Sequence, residues 1–219
     1  SQCFLHLSPD YQCKWILEGD IKGCFDHISH KWLINNIPMD KIMLRKWLKC
    51  GFVFNKQFFP TKEGIPQGGI ISPTLANMTL DGLQGLLAKR FKAINTRKMY
   101  YNPKVYLVRY ADDFIITCEN RETLENEIKL MVKEFLADRG LTLSEEKTKI
   151  THIDDGFDFL GFNIRKYKGN LLITPSKDKV KKLYGKIKEI VERNKSAKQE
   201  ILIRLLTPVI DGWGNYYRN

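Results

Sequence analysis

The sequence lacks the features of a membrane, secreted or zinc-stapled protein. No apolar run approaches the about 20 residues of helix that cross a bilayer, so no membrane contact is expected. Ser1 to Leu7 mix polar and apolar types without a basic start, so no secretory leader is expected. The five cysteines (Cys3, Cys13, Cys24, Cys50, Cys118) are odd in number and hold no Cys-x-x-Cys pair. That argues against a disulfide framework and for reduced core thiols. His27 and His30 are spaced to share a helical face but lack the further ligands of a structural zinc. Internal repeats and low-complexity linkers are missing too. An initiator Met is also missing, and the end at Tyr216-Tyr217-Arg218-Asn219 carries no closing signal, so the chain reads as a piece of a longer protein.

What is present is globular. The chain has 219 residues, of which 43% are apolar, enough to bury a core. Its net charge is +11 and its pI about 9.4. A soluble chain with that excess of cations most often meets a polyanion, usually nucleic acid.

Local patterns predict the elements. Trp15 to Leu17 is a buried strand that delivers Asp20 at its C-terminal end. Ser29 caps a helix over His30 to Asn36, ended by Pro38, and Asp40 caps another over Lys41 to Lys49, closed by Gly51. Phe52 to Phe59 reads as a strand or hairpin, and Gly64 to Gly69 as a loop. Ser72-Pro73 opens a helix running to about Phe91, with Leu75, Leu83, Leu86 and Leu87 inward. Val105 to Val108 and Phe114 to Thr117 form a hairpin with Asp112-Asp113 at its tip. Leu124, Ile128, Met131, Val132, Phe135 and Leu136 mark a helix ended by Gly140. Thr148 to Ile153 is a strand candidate. Phe157 to Ile164 and Leu171 to Ile173 form a hairpin turning at Lys168-Gly169-Asn170. From Thr174 the composition changes to a long basic helix capped by Ser176, with Val180, Leu183, Ile187 and Ile190 inward, and a last helix over Gln199 to Gly212. The boundary near Pro175 separates a mixed domain, 1–174, from a helical appendage, 175–219.

The chemistry concentrates on Asp20, Asp112 and Asp113. Each stands at the end of a β-rich run, and the pair is followed by Phe114-Ile115-Ile116. Carboxylates beside that much buried apolar structure are costly unless compensated. Read alone, Asp112-Asp113 is an ordinary hairpin turn. Two hard divalent cations would supply the compensation and serve an in-line phosphoryl displacement.

Five blocks occur in order: Gly19-Asp20-Ile21-Lys22-Gly23-Cys24-Phe25-Asp26, Gly64-Ile65-Pro66-Gln67-Gly68-Gly69-Ile70-Ile71-Ser72-Pro73, Tyr110-Ala111-Asp112-Asp113, Gly140-Leu141-Thr142-Leu143-Ser144-Glu145-Glu146-Lys147-Thr148 and Phe159-Leu160-Gly161-Phe162. The set resembles the reverse transcriptases of bacterial and organellar group II introns, including those that act as splicing maturases, from about Trp15 to Tyr217. The resemblance implies an α+β fold: the palm of a polymerase right hand, an antiparallel sheet with packed helices over 1–174, followed by a partial α-helical thumb over 175–219.

It also implies roles. Asp20 and Asp112 would bridge two Mg²⁺ ions (Mn²⁺ being a possible substitute), with Asp113 in the same acidic site and the Ile21 carbonyl as a backbone ligand. Phe25 would pack beneath the sugar and exclude a 2′-hydroxyl; read alone it is a core aromatic. Gln67 and Gly68 would line the nucleotide pocket. Lys147 would act near the pyrophosphate as a general acid; read alone it is a solvated lysine. Phe159, Leu160 and Gly161 would form the primer grip. Lys177, Lys179, Lys181, Lys182 and Lys186 would meet a nucleic-acid backbone. The implied partners are group II intron RNA, an RNA template, a DNA primer and deoxynucleoside triphosphates, in the bacterial cytoplasm or an organelle. The family carries basic fingers before the block that holds Asp20; only about nineteen residues precede Asp20 here, so the fingers are read as absent from this sequence and the piece alone is not expected to be an autonomous polymerase. Two other readings remain: a maturase that binds intron RNA without needing polymerization, and a reverse transcriptase domesticated for phage defence or CRISPR adaptation. An RNA-dependent RNA polymerase is disfavoured by Phe25.

Overall fold

The computed structural model describes residues 13–218 except 55, 56, 60, 62, 67, 97 and 98. The chain divides into two compact units, Ser1–Ile153 and Asp154–Asn219.

The first unit is built on a four-stranded antiparallel sheet in the order β6-β7-β1-β8. Here β1 is Trp15–Gly19, β6 Tyr106–Tyr110, β7 Asp113–Cys118 and β8 Lys149–His152. Both faces of its centre are buried, which is why β1 and β7 read as continuous apolar runs. Leu17 opposes Ile116 on one face; Ile16 and Ile115 lie on the other, and all four are at most 1% exposed. The first face carries the main core. It receives Leu33 of α2 (His30–Asn36), Leu44 and Leu48 of α3 (Lys41–Lys49), and Leu75 and Leu80 of α4 (Ser72–Leu80). Leu83 and Leu87 of α5 (Leu83–Arg90) complete that side. A short α1 (Cys24–His27) follows β1. Two small hairpins, β2 (Phe52–Phe54) with β3 (Gln57–Phe59) and β4 (Ile94–Thr96) with β5 (Met99–Tyr101), lie apart from the main sheet.

Capping follows local chemistry. Ser29 Oγ accepts from the Trp32 N–H at 3.2 Å, and Asp40 Oδ1 from the Met43 N–H at 2.8 Å, so α2 and α3 start where expected. The helix expected from Ser72 to about Phe91 is broken into α4 and α5. Asp81 turns extended and Gly82 takes φ 98°, a left-handed conformation open to glycine. Leu83 and Leu87 are buried as expected, whereas Leu86, also expected inward, is 39% exposed. The later helix runs from α6 (Arg121–Thr123) through a π-turn (Leu124–Ile128) into α7 (Lys129–Ala137). It ends where expected: beside Gly140 (φ 78°), the Leu141 N–H bonds the Leu136 carbonyl at 2.9 Å.

In the second unit, β9 (Phe157–Phe159), β10 (Phe162–Tyr167) and β11 (Asn170–Pro175) form an antiparallel sheet, followed by α8 (Lys177–Arg193) and α9 (Gln199–Tyr217). Pattern alone reads Phe157 to Ile164 as one strand, whereas the family resemblance implies a hairpin at Phe159-Leu160-Gly161-Phe162, and the chain does form a tight hairpin: Phe159 pairs with Phe162 around Leu160-Gly161, both at positive φ. The Lys168-Gly169 turn has the same form, with Tyr167 paired to Asn170. Ser176 stands at the N-cap of α8 but its side chain makes no cap bond; its N–H goes to the Gly161 carbonyl at 2.9 Å. That bond lies across the Pro175 position where composition changes, and β9–β11 fall in the same compact unit as the helices. The last helix extends past Gly212 to Tyr217. Among the described residues no helix is long and apolar enough to cross a membrane.

One contact controls the main sheet. Gly19 pairs with Phe114, and a Cβ on Gly19 would lie 2.1 Å from the Phe114 ring. Phe114 is 2% exposed and has little room to move. Gly19→Ala is therefore expected to lower stability by about 1–3 kcal/mol, the usual range for overpacking. The urea midpoint measures it, and Phe114→Leu in the same chain should recover part of the loss.

Candidate active site

The antiparallel register brings distant carboxylates together. β1 and β7 pair from Trp15 with Cys118 to Gly19 with Phe114, so one further step sets Asp20 opposite Asp113. β6 and β7 join through Ala111-Asp112, with Tyr110 paired to Asp113. Ala111 has φ 55°, a conformation that costs a residue with a Cβ. Arg109 holds this turn. Its Nη1 donates to the Ala111 carbonyl at 3.0 Å and to Asn77 Oδ1 at 2.9 Å, and its Nη2 to Asp81 Oδ1 at 2.8 Å. The sequence reading passed over Arg109; a lone cation within Tyr106-Leu107-Val108-Arg109-Tyr110 was the available signal.

Asp20 is fixed through its main chain. Its carbonyl accepts from the Ser144 N–H at 2.8 Å, and the Lys22 N–H donates to the Thr142 carbonyl at 2.9 Å. Ile21 bridges Leu143 between those bonds, so the bridge leaves the Ile21 carbonyl unused. The Thr148 N–H then closes a turn on the Ser144 carbonyl at 2.9 Å. This turn carries Lys147, whose Nζ lies 3.4 Å from Asp20 Oδ2. Its outer side is clamped by Glu145, which ion-pairs with Lys129 at 2.7 Å and with Lys133 at 2.5 Å. Hydrogen bonds from Lys129 and Lys133 hold the Glu145 carboxyl down at about 2.

Asp20, Asp112, Asp113 and Lys147 therefore share one end of the sheet. Asp113 is exposed as a residue, yet partial burial of its carboxyl, then the charges of Asp112 and Asp20, push it upward, while Lys147 pulls the other way. Below lies Cys24, 3% exposed, its thiol pushed up to about 12 by burial and then by Asp112. Among the described residues no three His, Cys, Asp or Glu side chains converge into a ready-made metal cage. The donor chemistry nevertheless fits a hard divalent cation. All three side-chain donors are carboxylates, Asp112 and Asp20 raise the proton affinity of Asp113, and the Lys147 ammonium stands against them.

The loop before α4 packs onto α1. Ile65 N–H donates to the Phe25 carbonyl at 2.7 Å, and a Cβ at Gly64 would meet that same carbonyl at 2.4 Å, so only glycine fits. His30 Nε2 donates to the Gly64 carbonyl at 2.6 Å, and His27 Nδ1 lies 3.6 Å from Glu63. These contacts seat the histidines on the loop. Phe25 is half-buried against the core. Gly68 is exposed, with open space around it; Gln67 lies outside the described residues.

The remaining candidates lie in the second unit. The Leu160 and Gly161 carbonyls accept from the Tyr216 and Tyr217 hydroxyls at 2.9 and 3.1 Å, and Phe162 stacks on Tyr216 at 5.6 Å. Lys177, Lys179, Lys181, Lys182 and Lys186 are all exposed on α8. Of these, Lys179, Lys182 and Lys186 line a cavity of about 380 Å³ with Trp213 and Tyr217.

Residues 4–164 match the family described as reverse transcriptase (RNA-dependent DNA polymerase), and residues 180–219 match the group II intron, maturase-specific domain. This chain belongs to the reverse transcriptase family, in its group II intron branch. The chain is 30% identical to the group II intron-encoded protein LtrA of Lactococcus lactis subsp. cremoris over 246 residues, covering 86% of this chain and 41% of LtrA. It is 31% identical to protein YkfC of Escherichia coli (strain K12) over 178 residues, covering 69% of this chain and 47% of YkfC. The chain thus spans less than half the length of either relative. Apo telomerase from Candida tropicalis matches with a TM-score of 0.55 at 15% identity, over 91% of this chain and 41% of that one, a likeness of fold alone.

The Glu145 clamp gives a prediction for this chain. Exposed ion pairs add little to global stability, so its effect should appear in the turn. Glu145→Lys should raise hydrogen exchange at the Ser144 and Thr148 amides at least several-fold with little change in melting temperature. Adding Lys129→Glu and Lys133→Glu should restore protection. Because the Glu145 carboxyl is held low, the clamp is complete above the ordinary glutamate range and is lost as pH falls through about 2.

Proposed function

We propose that this chain supplies the palm and the start of the thumb of an RNA-directed DNA polymerase. The observation that carries the reading is the sheet register that sets Asp20 opposite Asp113 and beside the Asp112 turn. Asp20, Asp112 and Asp113, with the Ile21 carbonyl, would hold two Mg²⁺ ions, with Mn²⁺ as a substitute. Bound there, such ions lower the cost of a 3′-alkoxide and stabilise charge on a transferring phosphoryl group.

The chain's own residues divide the remaining work. Lys147, already beside Asp20, hands a proton to the departing pyrophosphate. Phe25 underlies the sugar of an incoming deoxynucleoside triphosphate, where a 2′-hydroxyl would meet its ring. Gln67 and Gly68 line the nucleotide pocket, and the open space at Gly68 lets backbone approach substrate. Phe159, Leu160 and Gly161 present a rigid turn to a DNA primer, locked from behind by Tyr216 and Tyr217. The exposed lysines of α8 neutralise the backbone of the template–primer duplex. In domain terms, 1–174 acts as palm and 175–219 as thumb, in the bacterial cytoplasm or an organelle.

A second role is favoured by the maturase-specific match over residues 180–219: holding folded group II intron RNA for splicing and mobility. That role requires basic surface and shape readout but no carboxylate cluster.

In the protein that carries this chain, Asp112→Ala should abolish primer extension on an RNA template, by at least about 10³-fold, while RNA affinity stays within about twofold. Extension surviving the change would remove Asp112 from the chemistry. Phe25→Val should admit ribonucleotides, read as a fall in the kcat/KM ratio of dNTP over rNTP; an unchanged ratio would show that Phe25 is a core aromatic only.

A further inference from the structure

Some cations on the helices of this chain have acidic partners. Arg90 meets Glu127, Arg121 meets Glu125, Lys129 and Lys133 meet Glu145, and Lys188 and Arg193 of α8 meet Glu192 and Glu189. α3 has no such pair among the described residues, a property it shares with the Lys177-to-Lys186 stretch of α8. It carries Lys41, Arg45, Lys46 and Lys49 and no Asp or Glu. The N-cap, Asp40, spends its carboxylate on the Met43 N–H at 2.8 Å. Lys41 Nζ donates to the Ile37 carbonyl at 2.6 Å. Arg45, Lys46 and Lys49 are exposed and have no acidic partner among the described residues.

Geometry groups these charges. Lys41, Arg45 and Lys49 recur at i, i+4 and i+8, and with Lys46 they occupy an arc of about 140° along about 12 Å of helix. The core side adjoins this arc: Leu44 and Leu48, about 60° and about 20° before Lys41 around the helix, are 0% and 1% exposed. The helix dipole favours cations in the last turn, which accounts for Lys46 and Lys49 in part. It accounts neither for Arg45 nor for Ile42, left 63% exposed within the same arc. The arc offers cations and an aliphatic side chain, and no aromatic face on which an unpaired base would stack.

We propose that α3 is a contact surface for the phosphodiester backbone of a structured RNA stem, on an element that contributes nothing to the carboxylate cluster. The proposal deepens the RNA-directed reading, and rests on it for the choice of polyanion. Each of Arg45, Lys46 and Lys49 neutralises a phosphate, so binding through α3 releases counterions.

The test is binding of the 219-residue chain to a short RNA hairpin, by fluorescence anisotropy across a salt series, without nucleotides or divalent ions. Failure here therefore leaves the polymerase reading untouched. In R45E/K46E/K49E, the slope of log affinity against log salt should shrink by about 2–3, at about 0.9 per duplex phosphate contact, and low-salt affinity should fall at least tenfold. K89E/R90E/R121E, with the same change in net charge and no residue of α8, should lose less than a third as much. Equal losses in the two variants would show a diffuse charge effect and overturn the proposal, as would an unchanged slope. Tighter binding to anionic vesicles than to the hairpin, or an equal loss on unstructured single-stranded RNA, would also overturn it. If far-UV circular dichroism shows the reversal variant unfolded, R45Q/K46Q/K49Q decides by the same slope criterion.

Discussion

Everything at the carboxylate end of the main sheet depends on how β1 lies against β7. The two strands pair antiparallel, and the Phe114 ring occupies the space where any side chain on residue 19 would stand. Glycine at that position lets the ring close over the strand, seals the apolar interior, and leaves Asp20 to emerge where the buried strand ends. A shift of the register by one residue would turn Leu17 and Ile116 out of the main core and carry Asp20 away from Asp113. Packing and site geometry are thus one constraint.

The carboxylates are held at the rim of an apolar sheet, and the cost of that arrangement is visible around them. Asp113 is pushed toward protonation by its own partial burial and by its acidic neighbours. Cys24, beneath them, stays a thiol. Support is layered: Arg109 braces the strained Ala111 turn against Asn77 and Asp81, and the Ser144–Thr148 turn ties the Asp20 main chain to α7 through Glu145. A second strained turn, Leu160-Gly161, is braced in the same way by two tyrosine hydroxyls from α9. In both places a residue with a Cβ takes a positive φ and neighbouring side chains bond the carbonyls that result. Such strain persists only where its surroundings over-determine it.

Much of the fold was legible in local pattern. The caps at Ser29 and Asp40, the strands around Ile16 and Ile116, and the Leu124-to-Gly140 helix follow from propensity, periodicity and end signals that act over a few residues. Where reading failed, a non-local partner had intervened. The Ser72-to-Phe91 helix breaks at Asp81-Gly82, beside the carboxylate that receives Arg109. The strand over Phe157 to Ile164 folds at Leu160-Gly161, where the α9 tyrosines bond its carbonyls.

The amino-acid order by itself determined which groups are available: three aspartates at the ends of apolar runs, the blocks that mark the family, and an excess of cations over acids. It determined the start and stop of most elements, because caps and periodicity are short-range effects. Only the tertiary structure decided that Asp20 meets Asp113 across a register, that Lys147 reaches Asp20, and that Arg109 rather than a glycine secures the Ala111 turn. It also decided that Arg45, Lys46 and Lys49 of α3 have no acidic partner among the described residues, while Arg90, Arg121 and Arg193 each have one. Those outcomes turn on contacts between residues far apart in the chain, whose distances follow from how sheet and helices pack.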